Sequence, residues 1–366
     1  MAIQLFQIQE LKLTNYKNYA FFPFVFDTKL NFIIGKNGVG KTSLLDAIYY
    51  VSFSKSYLSS SDLWVIQYDK DFFRIEARIN IGADNQLIEV KYQKQIKKEY
   101  FINKAKLEKQ AHLIGKFPAV IITPDDNQLI LGASELRRKF IDATLSQFSS
   151  EYLDNLLLYN KVLLQRNALL KSFYENRNFN KELLSIYNQQ LIVSGTKVFH
   201  YRKDFIAKFI PIFSKIYSEI FDGNELVNIK YESDLLEMDF EHLLQYAENN
   251  DRQAQRTTKG IHTDDFAFEL NGYPIKKTGS QGQQKTFLLA LKMAQFELLK
   301  KESNIMPILL LDDIFDKLDV QRIAQILQLI NSEETGQVFI TDTDLQRINL
   351  FIQQNNINNY KIITIE

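Results

Sequence analysis

Three short stretches carry residue types that could bind and split a nucleotide. Gly35 to Thr42 reads GKNGVGKT: a glycine, an intervening stretch, then Gly-Lys-Thr. Glycines are needed there because backbone N–H groups must wrap phosphates with no side chain between them. Lys41 would neutralise the β and γ oxygens, and Thr42 would ligate Mg²⁺. Far downstream, PILLLDD sets the aliphatic run Ile308 to Leu311 before Asp312 and Asp313. A buried strand ending in carboxylates is the partner such a loop requires: Asp312 to hold the water shell of the metal, Asp313 to orient or deprotonate an attacking water. Between them, GSQGQQKT (279–286) lies directly against the apolar-striped FLLALKMAQFELL. Its composition is that of a linker, yet a linker has no need of a helix. A phosphate does, because the first N–H groups of a helix are unpaired and its dipole end is positive.

The elements around these stretches have the right character. Alternation through Leu5, Ile8, Leu11 and Leu13, the turn-rich TNYKNY, and then LNFII predict strands, the last running into the glycine loop. Beyond the loop, Leu44, Leu45, Ile48, Tyr49 and Val51 form a helical stripe, so the loop has the strand–loop–helix setting that phosphate binding needs. FFRIEARINI (72–81) alternates as a half-buried antiparallel strand, with LIEVKYQ and EYFIN as partners, and AVIIT (119–123) is a strand stopped by Pro124. From 134 to about 250 glycine and proline nearly vanish and long apolar-striped helices are expected. Strand patterns return at FAFELNG (266–272), after which helix and strand alternate. The chain therefore divides into an ATPase lobe of 1–133 and 251–366 around an inserted helical lobe of 134–250.

Composition narrows the classes. A hydrophobic content of 45% suffices for a packed core, and the absence of cysteine excludes disulfides, Cys-ligated zinc, iron–sulfur clusters and thiol nucleophiles, which fits a reducing cytoplasm. The N-terminal residues have neither a basic region nor a long apolar one, and no apolar run is long enough to span a bilayer. Lys plus Arg equals Asp plus Glu, 44 each, so any nucleic-acid binding must come from local patches. Arg137 to Lys139, Lys94 with Lys97 and Lys98, and Lys276 with Lys277 are the candidates, each read first as a solvated face.

FDKLD (315–319) follows the carboxylates at once, and the order glycine loop, SQGQQ, LLLDD, FDKLD resembles that of an ABC-type ATPase head. The likeness extends further. LTNYKNY, TPDDNQLILGASELRRKFID (123–142), YNKVLLQRNALLK (159–171), GIHTDDFAFELNG (260–272), SQGQQKTFLLALKMAQ (280–295) and ILLLDDIFDKLD (308–319) together resemble the bacterial RecF family over nearly the whole chain. RR..FID and QRN.LLK are particular to that family rather than to ATPases at large.

This resemblance implies an α/β fold: an ABC-type, SMC head-like P-loop ATPase domain with an antiparallel β subdomain and an inserted helical lobe. It implies ATP and Mg²⁺ as ligands, and a weak DNA-stimulated ATPase used as a switch, with dimerisation on ATP. Partners would be gapped or junction DNA, duplex and single-stranded, and the RecO and RecR proteins, with RecA loaded on gapped DNA. The nucleotide set is Gly35, Lys36, Asn37, Gly38, Val39, Gly40, Lys41, Thr42 and Ser43. Ser280, Gln281, Gly282 and Gln283, with Asp319, would complete the site of a second chain, and Lys17 in NYKNY is expected near the nucleotide. Asp316 stands where many relatives have Ser, and Thr341-Asp342-Thr343 stands where transporters put a switch His. His262, Asp264 and Asp265 could imitate a metal cluster, but lone histidine supply argues for a structural role.

Other classes fit less well. A long-armed SMC-like clamp is excluded by length, since 134–250 folded as one hairpin reaches at most roughly 90 Å, and Pro211 is expected to shorten it further. A transporter ATPase subunit would carry the switch His, and a nuclease would need a clustered set of His and carboxylates.

Overall fold

The computed structural model describes residues 3–221, 224–314 and 335–366. The chain forms two compact units, one of Met1–Asp126 with Leu289–Glu366 and one of Asn127–Leu288. The expected helical lobe, 134–250, falls within the second.

Among the described residues the first unit holds two sheets. β1 (Gln4–Tyr16) pairs antiparallel with β2 (Tyr19–Val25) on one side and β4 (Phe72–Ile81) on the other; β5 (Asp84–Gln93), β6 (Glu99–Ile102) and β7 (Ala105–Lys106) continue the sheet. On β4 the alternation is realised: Phe73, Ile75, Ala77 and Ile79 are fully buried, while Arg74 and Glu76 share the opposite face in an ion pair. Pairing of β1 with β4 slips between Ile8 and Glu10. A slip leaves backbone groups without ladder partners. The buried Gln337 supplies them, accepting from the Ile8 N–H at 2.7 Å and donating to the Ile8 carbonyl at 2.8 Å.

The second sheet is parallel, in the order β15 (Tyr360–Thr364), β3 (Leu30–Ile34), β14 (Val338–Asp342), β13 (Ile308–Leu311), β8 (Ala119–Ile122). β13 and β8 read as unbroken apolar runs and are buried throughout, whereas the edge strand β15 stays partly exposed. β3 and β13 are separated only by β14, so their C-terminal ends, which carry the glycine loop and the carboxylates, open on the same edge. β12 (Ile305–Met306) joins β1 in parallel. α1 (Lys41–Phe53) follows the loop and buries Leu44, Leu45, Ile48 and Val51 completely, each worth about 1.5–3 kcal/mol relative to exposure. Beyond α1, a short 3₁₀ turn at Asp62–Val65 presents the chain's one tryptophan, Trp64, at 76% exposure.

The second unit contains α2 (Gln128–Leu131), α3 (Ser134–Ser146), α4 (Ser150–Asn176), α5 (Lys181–Ile220), α6 (Phe240–Ala254), α7 (Ile275–Thr278) and the first turns of α8 (Gln281–Glu302). A three-stranded antiparallel sheet, β11 (Tyr273–Pro274), β10 (Asp265–Leu270), β9 (Val227–Glu232), accompanies them. Side chains cap the long helices: Ser149 accepts from the Tyr152 N–H, Asn180 from Leu183 and Asp239 from His242. α5 is 40 residues long, about 60 Å at helical rise, within the limit set by sequence. Pro211 does not end it. Buried Phe205, Phe209 and Phe213 flank the proline on one stripe and hold the helix together across the missing hydrogen bond.

RRKFID, QRNALLK and GIHTDD meet inside this unit. Arg202 of α5 is 2% exposed and reaches Asp142 Oδ1 at 2.9 Å, Asp264 Oδ2 at 2.9 Å and the Ile261 carbonyl at 2.7 Å. Tyr231 donates to Asp264 at 2.7 Å. Arg166 and Asp251, both fully buried, pair at 2.7 Å, and Arg166 also donates to Asn188 and Thr257. Asn167 accepts from the Thr257 N–H and hydroxyl. His262 lies between Tyr159 OH (2.7 Å) and the Thr257 carbonyl (3.0 Å), which fixes the proton on Nε2; burial lowers its pKa and keeps the ring neutral. These histidine and aspartate side chains are thus engaged with arginine, tyrosine and backbone, and no cluster of three or more His, Cys, Asp or Glu side chains placed to hold a metal ion occurs among the described residues.

Candidate functional site

The glycine loop closes over the start of α1. Gly38 and Gly40 adopt φ of 84° and 116°, the left-handed region that favours glycine. A Cβ on Gly35 would come within 2.5 Å of the Ile365 carbonyl and 2.8 Å of Val39 Cγ2, so the first glycine is required by packing instead. Gly40 caps α1 without a side chain and the first turn has no acidic residue. Among the described residues the opening N–H groups therefore have no side-chain cap competing for them, and the helix dipole adds positive potential.

Lys41 is 5% exposed, and its ammonium donates to the Gly35 carbonyl at 2.9 Å and the Lys36 carbonyl at 3.1 Å. Thr42 Oγ1 donates to Asp312 Oδ1 at 3.1 Å, from the first turn of α1 to the end of β13. Thr341, on the intervening β14, donates to the same Oδ1 at 2.7 Å and accepts from the Asp313 N–H at 2.9 Å. Asp313 itself takes a left-handed backbone, φ 46°. Burial raises the Asp312 pKa, and the hydroxyl donations from Thr341 and Thr42 pull against that rise. A cleft of ~220 Å³ is lined by Asn18, Asn37, Gly38, Gly40, Lys41, Thr42, Ser43 and Asp313.

These residues fit a nucleotide triphosphate with a divalent ion. Uncapped N–H groups and a lysine suit the phosphates, and a hydroxyl beside a buried carboxylate supplies the hard oxygens that Mg²⁺ takes.

The remaining expected residues lie as follows. Lys36 and Asn37 are exposed at the loop tip and Val39 packs on Gly35. The Lys17 ammonium is 2.6 Å from Asp46 Oδ2, a fully buried carboxylate of α1 that also accepts from Tyr16 OH at 2.8 Å and from Ser56. Ser280 and Gln283 form a reciprocal cap at the start of α8: Ser280 Oγ accepts from the Gln283 N–H at 3.2 Å, and Gln283 Oε1 from the Ser280 N–H at 2.7 Å. Gln283 Nε2 donates to Glu225 at 2.6 Å. Gln281 is exposed and Gly282 half-buried. Asp316 and Asp319 lie outside the described residues.

Sequence reasoning missed Asn18 and Tyr19, which donate to the Gly38 carbonyl at 2.9 Å and the Gly40 carbonyl at 3.0 Å. The signal was present in NYKNY, a polar turn two strands before the loop.

Comparison with known proteins agrees with this architecture. The model of the RecF/RecN/SMC N terminal domain matches residues 7–360. The DNA replication and repair protein RecF of Flavobacterium johnsoniae is 46% identical over 358 residues, covering 98% of this chain and 99% of the relative. The chain belongs to the RecF family. RecF of Phocaeicola vulgatus is 40% identical over 98% of this chain and 96% of its own length. A solved structure of the recombination mediator protein RecF-ATP in the RecFOR pathway superposes with a TM-score of 0.88 at 30% identity, covering 94% of this chain and 93% of that one. An Smc head domain from Pyrococcus furiosus matches at TM-score 0.55 and 16% identity, over 96% and 92% of the two chains, which is a likeness of fold. The RecF-family fold is accordingly an ABC-type, SMC head-like P-loop ATPase. No helix among the described residues is long and apolar enough to cross a membrane.

Proposed function

We propose that this RecF-family chain is an ATP-dependent DNA-binding protein of recombinational gap repair and replication-fork maintenance. It acts in the cytoplasm, binds single-strand/double-strand junction DNA as an ATP-induced dimer, and helps RecO and RecR load RecA. The observation that carries the reading is the contact chain Thr42–Asp312–Thr341–Asp313 beside the glycine loop. In this reading the ATPase lobe is drawn from 1–133 and 251–366 about the helical segment 134–250.

Loop N–H groups from Gly35 to Ser43 and the Lys41 ammonium bind the phosphates. Thr42 and Asp312 would hold Mg²⁺, which when bound would supply positive charge at the terminal phosphoryl group. Asp313 takes the proton of the attacking water as ATP is converted to ADP and phosphate. Ser280, Gln281, Gly282 and Gln283, with Asp319, complete the site of the second chain, and Lys17 lies near the nucleotide held by its own chain. Hydrolysis is weak and stimulated by DNA, so it times release.

For DNA, most of the basic clusters have other engagements. Arg137 is bidentate to Asp265 at 2.7 and 2.8 Å, Arg138 donates to the Asp264 carbonyl, and Lys98 pairs with Asp62. Lys97, Lys276 and Lys277 are exposed and suit phosphate contact better. Titrating labelled gapped, duplex and single-stranded DNA with and without ATP tests the reading. Affinity should require ATP and fall steeply with salt as counterions are released; affinity indifferent to both would overturn it.

A further inference from the structure

The hairpin turn between β1 and β2 contacts the glycine loop, placing Asn18 in the wall of the nucleotide cleft, and it is held from several directions. Lys17 and Tyr16 reach the buried Asp46 at 2.6 and 2.8 Å. The Lys17 N–H donates to the Val65 carbonyl, and the Gln67 N–H to the Asn15 carbonyl, both at 2.8 Å. Tyr19, 5% exposed, packs its ring on Phe22 and Phe24 with centroids 6.0 and 5.4 Å away. A turn so clamped is a rigid base for whatever its side chains touch.

What they touch is a pair of loop carbonyls. Tyr19 OH donates to the Gly40 carbonyl at 3.0 Å, which also accepts the first helical hydrogen bond, from the Leu44 N–H at 2.9 Å. Asn18 Nδ2 donates to the Gly38 carbonyl at 2.9 Å. A trans peptide unit is planar, with its C=O and the following N–H pointing oppositely. Fixing the carbonyls of Gly38 and Gly40 therefore fixes the N–H groups of Val39 and Lys41. It also keeps two partial negative charges turned to donors rather than toward a phosphate. The approach is close: a Cβ on Gly40 would sit 2.9 Å from the Tyr19 hydroxyl oxygen.

We propose that Tyr19, seconded by Asn18, is a positioning residue for phosphate binding, holding the glycine loop in its anion-ready shape before any nucleotide arrives. This rests on the nucleotide-site reading above. Neither side chain needs to touch the nucleotide to act. Burial pushes the Tyr19 phenol well above its ordinary pKa, so it stays a donor across the working pH range.

The test uses the full chain with Tyr19→Phe and Asn18→Ala, a fluorescent ATP analogue with Mg²⁺, and competition by ATP, ADP and adenosine. Tyr19→Phe keeps the ring stacking and should leave the unfolding temperature near that of the parent. Its affinity for ATP and ADP should fall about three- to tenfold, the worth of a net hydrogen bond, and Asn18→Ala should fall less because Asn18 is exposed. Adenosine, lacking phosphates, should compete equally well against parent and variant. Parent-like ATP and ADP affinity in Tyr19→Phe overturns the inference, as does an equal loss for adenosine, the mark of general damage to the pocket. A parent chain that binds no ATP sinks the nucleotide-site reading itself, a result separable from both.

Discussion

Lys41 shows how a side chain waits for its ligand. Its ammonium hydrogen-bonds carbonyls of its own loop, at Gly35 and Lys36. Those are neutral acceptors, and a phosphate oxygen would be a charge-assisted one, roughly twice as strong. The exchange favours the nucleotide without requiring the lysine to leave water, since it is already buried. Lys41→Ala should therefore weaken ATP binding about ten- to a hundredfold, read by isothermal calorimetry, with little change in unfolding temperature. Unchanged binding would refute the phosphate role. Asp312 presents the opposite case: burial raises its pKa, and the Thr42 and Thr341 hydroxyls restrain the rise.

At the scale of elements, the buried pair of Arg166 on α4 and Asp251 on α6 ties two helices of the second unit together. Removing the arginine leaves a carboxylate with no exposure and no opposite charge. Arg166→Met should cost about 3–5 kcal/mol in denaturant unfolding, and adding Asp251→Leu should recover a large part of the loss. If the single variant unfolds like the parent, the pair is dispensable. Such partnerships also mark what sequence could and could not disclose. The strand ending at Ile34, the glycine loop, the helix from Lys41 and the strand before Asp312 were legible, because each is encoded by local periodicity and local residue type. QRNALLK and GIHTDD were legible as family marks only. Their physical meaning, Arg166 buried against Asp251 85 residues away and Asp264 against Arg202 62 residues away, depends on how helices pack, which no local pattern encodes. Tyr19 escaped for the same reason: its hydroxyl meets Gly40 only because the β1–β2 register brings it there. Pro211 misled, since its ring breaks one helical hydrogen bond while flanking phenylalanines keep α5 continuous.

For the whole molecule, the question is whether two chains share two nucleotides. Ser280 is the residue to probe, and its present engagement dictates the choice of variant. Its hydroxyl caps α8 through the Gln283 N–H, so Ser280→Arg removes a cap worth about 0.5–2 kcal/mol as well as blocking a partner's phosphate. Ser280→Asp keeps the cap and adds a negative charge. Both should bind ATP as monomers and fail to dimerise with it; ATP-dependent dimers of either in light scattering would refute the shared site. The exposed Trp64 bears on every such assembly. Being the sole tryptophan, it makes the chain its own optical probe: under excitation at wavelengths too long for tyrosine to absorb, the emission comes from one indole bathed in water, on a turn whose neighbouring Val65 carbonyl is bonded to the β1–β2 hairpin. Any macromolecule that covers this face shifts that emission to the blue and shields it from soluble quenchers, with no dye attached.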